Sequence, residues 1–110
     1  MAWKILFYEN SRGERPVQEF ITTLSPSSQS KVIGSVRLLR EFGMFLKMPH
    51  SKKITKNLYE LRIRGKEEVR IFYAFSRGKI YLLHAFKKKS QRTPSKEIKL
   101  AEARLATIDK

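Results

Sequence analysis

Between Tyr59 and Arg92 the chain sets cations among aromatic rings. Arg62, Arg64, Arg70, Lys87, Lys88, Lys89 and Arg92 share this stretch with Tyr59, Phe72, Tyr73, Tyr81 and Phe86, and Gln91 adds an amide beside Arg92. Such a mixture suits single-stranded RNA, where cations meet phosphates and splayed bases stack on rings. The rings also have a core reading, which is favoured for Tyr59, Phe75 and Tyr81. For Tyr73, whose neighbours Arg70 and Phe72 make the alternation ambiguous, core and ligand surface stand level.

Other chemistries lack their residues. With no cysteine there is no disulfide framework, thiolate nucleophile or Cys-based zinc site. Neither a Gly-rich phosphate loop nor an HExxH pattern is present. The two histidines, His50 and His84, stand far apart, and the few carboxylates have basic neighbours. A clustered-carboxylate metal centre is therefore not expected, nor is a cofactor site.

The charge carries the same message. The 110 residues have a formal net charge of +14. Residues 1–50 hold 7 basic and 4 acidic side chains, whereas residues 51–110 hold 17 and 6. A solvated, solubility-promoting surface would account for a basic excess. Its confinement to one half points instead to a polyanion-binding face. A hydrophobic fraction of 41% is ordinary for a globular chain, and the length fits one domain over residues 1–110. No apolar run approaches the roughly 18 residues of a membrane span, and no signal-peptide pattern opens the chain, so a cytoplasmic protein is expected.

Several elements must position these groups. Residues 3–8 are aromatic and β-branched enough for a strand. A helix is expected from Glu14 or Pro16, with Val17, Phe20, Ile21 and Leu24 on one stripe. Ser25 caps a second helix with Pro26 at its first position, a stripe of Val32, Ile33, Val36, Leu39 and Phe42, and a stop at Gly43. Residues 44–56 read as loop, with room for a short strand. Alternation marks a strand from Asn57 to Arg64; residues 69–75 read as a second and 80–86, apolar on both faces, as a third and central one, with a glycine turn at Ser76–Lys79. Thr93 or Ser95 caps a final helix striped by Ile98, Ala101, Leu105 and Ile108. The order β-α-α-β-β-β-α implies an α+β fold with helices on one sheet face, leaving the other face or the rim for a ligand. In the three-strand meander the basic positions converge on one side and one end.

The ordered runs Leu58-Tyr59-Glu60-Leu61-Arg62, Val69-Arg70-Ile71-Phe72-Tyr73 and Tyr81 through Pro94 (YLLHAFKKKSQRTP) resemble the HigB-like branch of the RelE/ParE toxin superfamily. The likeness covers essentially the whole chain. It implies a RelE-like antiparallel sheet of about four strands with an N-terminal αα-hairpin and a C-terminal helix. It also implies a phage or bacterial type II toxin that cleaves mRNA at the ribosomal 30S A site without a metal or cofactor. In that chemistry the RNA 2′-hydroxyl attacks the adjacent phosphate and the 5′-oxygen leaves. Carried over here, Arg70 contacts the scissile phosphate, and Lys87 and Lys89 stabilise charge or move a proton. Tyr73 orients or stacks on the base, or donates a proton. Arg62, Arg64, Lys88, Gln91 and Arg92 bind RNA. His84 is the tempting acid–base residue, since histidine is the side chain most used for such work, yet its alternation with Ile80, Leu82 and Phe86 suits a packed, hydrogen-bonded histidine equally. The implied partners are mRNA, a helix-turn-helix antitoxin and, only through it, operator DNA, with no membrane. Competing readings are a same-fold toxin directed at a protein such as DNA gyrase, and a non-catalytic RNA- or DNA-binding module.

Overall fold

A computed structural model describes residues 2–108. In chain order it contains β1 (Lys4–Phe7), α1 (Pro16–Thr22), α2 (Pro26–Phe42), a 3₁₀ turn (Gly43–Phe45), β2 (Ser51–Lys53), β3 (Tyr59–Ile63), β4 (Val69–Ser76), β5 (Lys79–Lys87) and α3 (Ser95–Ile108). Local chemistry sets the helix ends. Pro16 and Pro26 sit in first turns, where no intrahelical N–H is lost, and the Ser25 hydroxyl accepts from the Ser28 amide. Gly43 stops α2 at φ +51° while donating to the Leu39 carbonyl. The β4–β5 turn places Arg77 and Gly78 both at positive φ, as a two-residue type I′ hairpin requires.

The fold is α+β, and the sheet departs from the expected one in two respects. It has five strands in the order β1-β5-β4-β3-β2, and it is mixed, because β1 runs parallel to β5. The added strand, β2, is only Ser51-Lys52-Lys53 and carries no apolar alternation that would reveal it. Between β1 and β2 the chain crosses one sheet face as α1 and α2. Val17, Leu24, Val32 and Leu39 pack there on Leu61, Ile71, Tyr73 and Leu82. Within the α2 stripe, Ile33 and Phe42 turn to solvent rather than to the sheet.

Helices do not share one face. Ala101 and Leu105 of α3 pack on Leu58, Phe72, Ala74, Leu83 and Phe86, closing the opposite side. β4 is thus buried on both faces and forms the middle of the sheet, with β5 one place from the edge. Neither face is therefore left wholly open for a ligand. Between the pairs Phe72–His84 and Tyr73–Leu82 the register slips, leaving Leu83 as an extra residue in β5. This bulge resets the alternation. Ile80, Leu82 and Ala85 join the α1/α2 side, while Leu83 and Phe86 join the α3 side.

Candidate nucleic-acid interface

Arg62 of β3 and Arg70 of β4 are register partners, so their side chains leave the sheet together. They lie on the α3 side, opposite the face that receives Leu61, Ile63, Val69 and Ile71. α3 does not cover this end. The result is a cleft of about 520 Å³ lined by Lys52, Arg62, Arg64, Glu68, Arg70, Lys88, Lys89, Ser90 and Gln91. Six of these residues are cationic and one is acidic, so the cleft concentrates the field of the whole chain.

A second carboxylate lies underneath. Glu60 is only 2% exposed. Its Oε1 is 3.7 Å from Arg70 Nε and 4.0 Å from Arg62 Nε, and Thr93 Oγ1 donates to its Oε2 at 3.4 Å. Arg70, 3% exposed, also donates from Nη1 to Glu68 Oε2 at 3.0 Å and to the Val69 carbonyl at 3.1 Å. Among the described residues the buried Nε atoms of Arg62 and Arg70 have no hydrogen-bond partner. Glu60 therefore holds two guanidiniums by charge without saturating them. Arg62 is fixed further by its amide, which donates to the His50 carbonyl, and by Nη1 against Met48 Sδ at 3.2 Å.

The loop between β5 and α3 is tied at both ends. The Lys88 amide donates to the Glu68 carbonyl at 2.7 Å, and Thr93 reaches Glu60. Thr93 is thus drawn into the charge cluster instead of capping α3. Within the loop, Ser90 Oγ donates to the Arg92 carbonyl, and the Arg92 side chain is exposed.

Of the residues expected from sequence, the structure gathers Arg62, Arg64, Arg70, Lys88, Lys89 and Gln91. Four others are outside its lining: Arg92 stands exposed in the β5–α3 loop, and Lys87, Tyr73 and His84 lie elsewhere. Lys87 pairs at 2.7 Å with Glu67, which also receives the Ser25 hydroxyl at the start of α2. Lys87 above all, together with Ser28 and Ser25, pulls the Glu67 carboxyl down to about 2. Tyr73 is in the core of the α1/α2 face, stacked on Tyr59 and hydrogen-bonded to the Ser51 hydroxyl. Burial pushes its hydroxyl up to about 12, against the smaller opposing effect of Ser51. His84 is on the cleft's side of the sheet but beneath α3. Its Nε2 is 2.7 Å from Glu97 Oε1, its Nδ1 faces Arg104 Nη1 at 3.4 Å, and its ring stacks on Phe86. Since arginine only donates, Nδ1 is the acceptor and Nε2 carries the proton toward Glu97. This is the packed, hydrogen-bonded form, and it pins α3 to β5 together with the Arg104 bond to the Leu83 carbonyl at 2.8 Å.

Lys52, Glu60, Glu68 and Ser90 belong to the site but are not among the residues the sequence singled out. Glu60 carried a usable signal: it alternates onto the face of Arg62, so any burial there would force it against the arginine. Lys52 carried none, because β2 is too short to show a period.

A five-stranded mixed sheet with two helices between its first and second strands and one after its last broadly matches the RelE-like class of α+β folds. The chain belongs to the phage-derived Gp49-like family (DUF891), whose model matches residues 19–106. That family is associated with toxins of the RelE/HigB type. No curated protein matches the chain. Among the described residues no helix is long and apolar enough to cross a membrane.

Proposed function

We propose that this chain is the toxin of a toxin–antitoxin pair and cleaves mRNA engaged at the 30S A site of the ribosome. The observation that carries this reading is the cleft in which Arg62 and Arg70 stand side by side among Lys52, Arg64, Lys88 and Lys89. Its cations match the charge that develops when the 2′-oxygen bonds to phosphorus, the phosphate gains negative charge, and the 5′-oxygen departs. The products are a 2′,3′-cyclic phosphate and a 5′-hydroxyl. Preorganised donors aimed at such charge contribute on the order of 10²–10³ in rate per group.

The burial of Arg70 divides the labour. Arg62, Lys52 and the Lys88–Lys89 pair make direct phosphate contacts, and Arg70 supports them from behind through the low-dielectric interior. Lys89, which lines the cleft, stabilises charge or moves a proton in this reading, whereas Lys87 is held by Glu67. Gln91 and Arg92 extend RNA contact along the loop. Tyr73 and His84 serve as supports of the sheet and of α3. The partner is an antitoxin of helix-turn-helix type, through which operator DNA is reached, and a chain of net charge +14 favours an acidic one.

Purified protein added to translating ribosomes yields discrete mRNA cuts, and the Lys88→Ala, Lys89→Ala double variant loses them while remaining folded. RNA that is bound but left intact overturns the nuclease reading in favour of a binding module. Inhibition of gyrase supercoiling with intact mRNA overturns it in favour of a protein target.

A further inference from the structure

Four of the six large apolar side chains that stand exposed among the described residues fall within Phe42–Met48: Phe42, Met44, Phe45 and Met48. Phe45 is 84% exposed. A domain that buries Phe72, Tyr73 and two helices' worth of leucine and valine does not leave this ring out for want of a core. The turn that displays it is firmly built. Gly43 is buried at φ +51°, and any Cβ there would collide with the Trp3 indole. The Trp3 amide donates to the Arg40 carbonyl, and the Leu46 amide closes the turn on the Gly43 carbonyl at 3.1 Å. Leu46 packs on the core, so its neighbour Phe45 is held outward.

This apolar turn is continuous with the cleft. Met48 Sδ touches Arg62, and His50 accepts from the Arg62 amide. Three peptide steps separate Phe45 from Met48, so their Cα atoms lie no more than about 11 Å apart. From Phe42 through Tyr59 the chain carries no carboxylate and four lysines, at 47, 52, 53 and 56. The occupant of such a surface must be anionic along its length and offer flat apolar faces, which describes an unpaired polynucleotide.

We propose that Phe45, flanked by Met44 and Met48, is a stacking platform for an unpaired nucleobase of the RNA strand whose phosphates lie in the Arg62 cleft. The inference rests on reading that cleft as an RNA site, and it does not depend on cleavage there. The test is binding of a fluorescent oligouridylate to the full chain, beside an abasic ribose–phosphate chain of equal length. Phe45→Ala weakens oligouridylate binding about 5- to 150-fold, the span expected for loss of one base stack, and changes abasic-chain binding less than about 2-fold. Phe45→Trp keeps oligouridylate binding, and saturation quenches the introduced indole. Equal binding of oligouridylate by the parent and Phe45→Ala overturns the proposal and leaves the surface to a protein partner. Equal weakening on both chains also overturns it, since it reads as loss of charge contact or fold. Stacking without mRNA cuts on ribosomes refutes the proposed activity alone, and cuts unaffected by Phe45→Ala with unchanged oligouridylate affinity refute the platform alone.

Discussion

Glu60→Gln removes one charge and almost no volume from the centre of the cluster. The carboxylate lies 3.7 Å from Arg70 Nε and 4.0 Å from Arg62 Nε, with all three side chains largely buried. At an effective dielectric constant of 20, each such pair carries about 4 kcal/mol of attraction. Desolvation of the three groups offsets much of this in the parent. In the variant the arginines stay desolvated and lose their counter-charge, so the cost is that of a broken buried pair, about 3–5 kcal/mol. The amide keeps an acceptor for Thr93, so little packing is lost. A chain of this size is stable by about 5–15 kcal/mol, and each 1 kcal/mol moves Tm by about 4–8 °C in small domains. Circular dichroism melting at low ionic strength should therefore show Tm lower by roughly 12–40 °C. Added phosphate restores part of the loss, because an anion takes the carboxylate's place beside the guanidiniums. Pairing Glu60→Gln with Arg62→Met restores part of it as well, because one buried cation then remains instead of two. A Glu60→Gln protein within about 1 kcal/mol of the parent by urea unfolding refutes the idea that Glu60 holds the arginine pair.

Three further outcomes follow from the geometry. Because burial raises the Tyr73 hydroxyl from 10.0 to about 12, the folded state keeps that proton longer than the unfolded one. The corresponding stability is full below pH 10 and is lost as pH climbs from about 10 to about 12, so Tyr73→Phe flattens the alkaline decline in Tm over that window. Gly43→Ala combines positive φ with a collision against Trp3; it costs about 2 kcal/mol or more and shifts the emission of the chain's one tryptophan. Lys89→Ala lowers the salt slope of oligouridylate binding by about 0.7, one single-strand phosphate contact, and Lys87→Ala lowers it less while raising the pH at which Glu67 takes up a proton.

The helices were legible because their signals are local. Pro16, Ser25, Pro26 and Gly43 mark ends through backbone chemistry that needs no distant partner, and α3 follows its stripe of Ile98, Ala101, Leu105 and Ile108. The antiparallel β3–β4–β5 unit was legible from alternation and the Arg77-Gly78 turn. Pairing across long separations was not. Nothing in Lys4–Phe7 states that its neighbour is β5 or that it runs parallel, and Ser51-Lys52-Lys53 is a strand only because β3 offers it an edge. The cleft was legible as a gathering of Arg62, Arg64, Arg70, Lys88, Lys89 and Gln91 at one end of the meander. Its buried half was not, because whether Glu60 and Arg70 are covered depends on the β5–α3 loop returning across them through Thr93.

Leu83 has a consequence for the triple lysine that follows it. In an unbroken β5, odd and even positions would keep their sides, and Lys87 would emerge toward Arg70 while Lys88 turned behind the sheet. With one residue of slack, the phase inverts: Lys88 comes forward into the cleft and Lys87 goes back to close on Glu67. Three adjacent identical side chains thereby acquire different occupations, the first as a brace and the other two as lining of the cleft. Deleting Leu83 would straighten β5 and leave both occupations as they are, whereas taking Leu83 into the ladder would exchange the first two without altering the chain's charge.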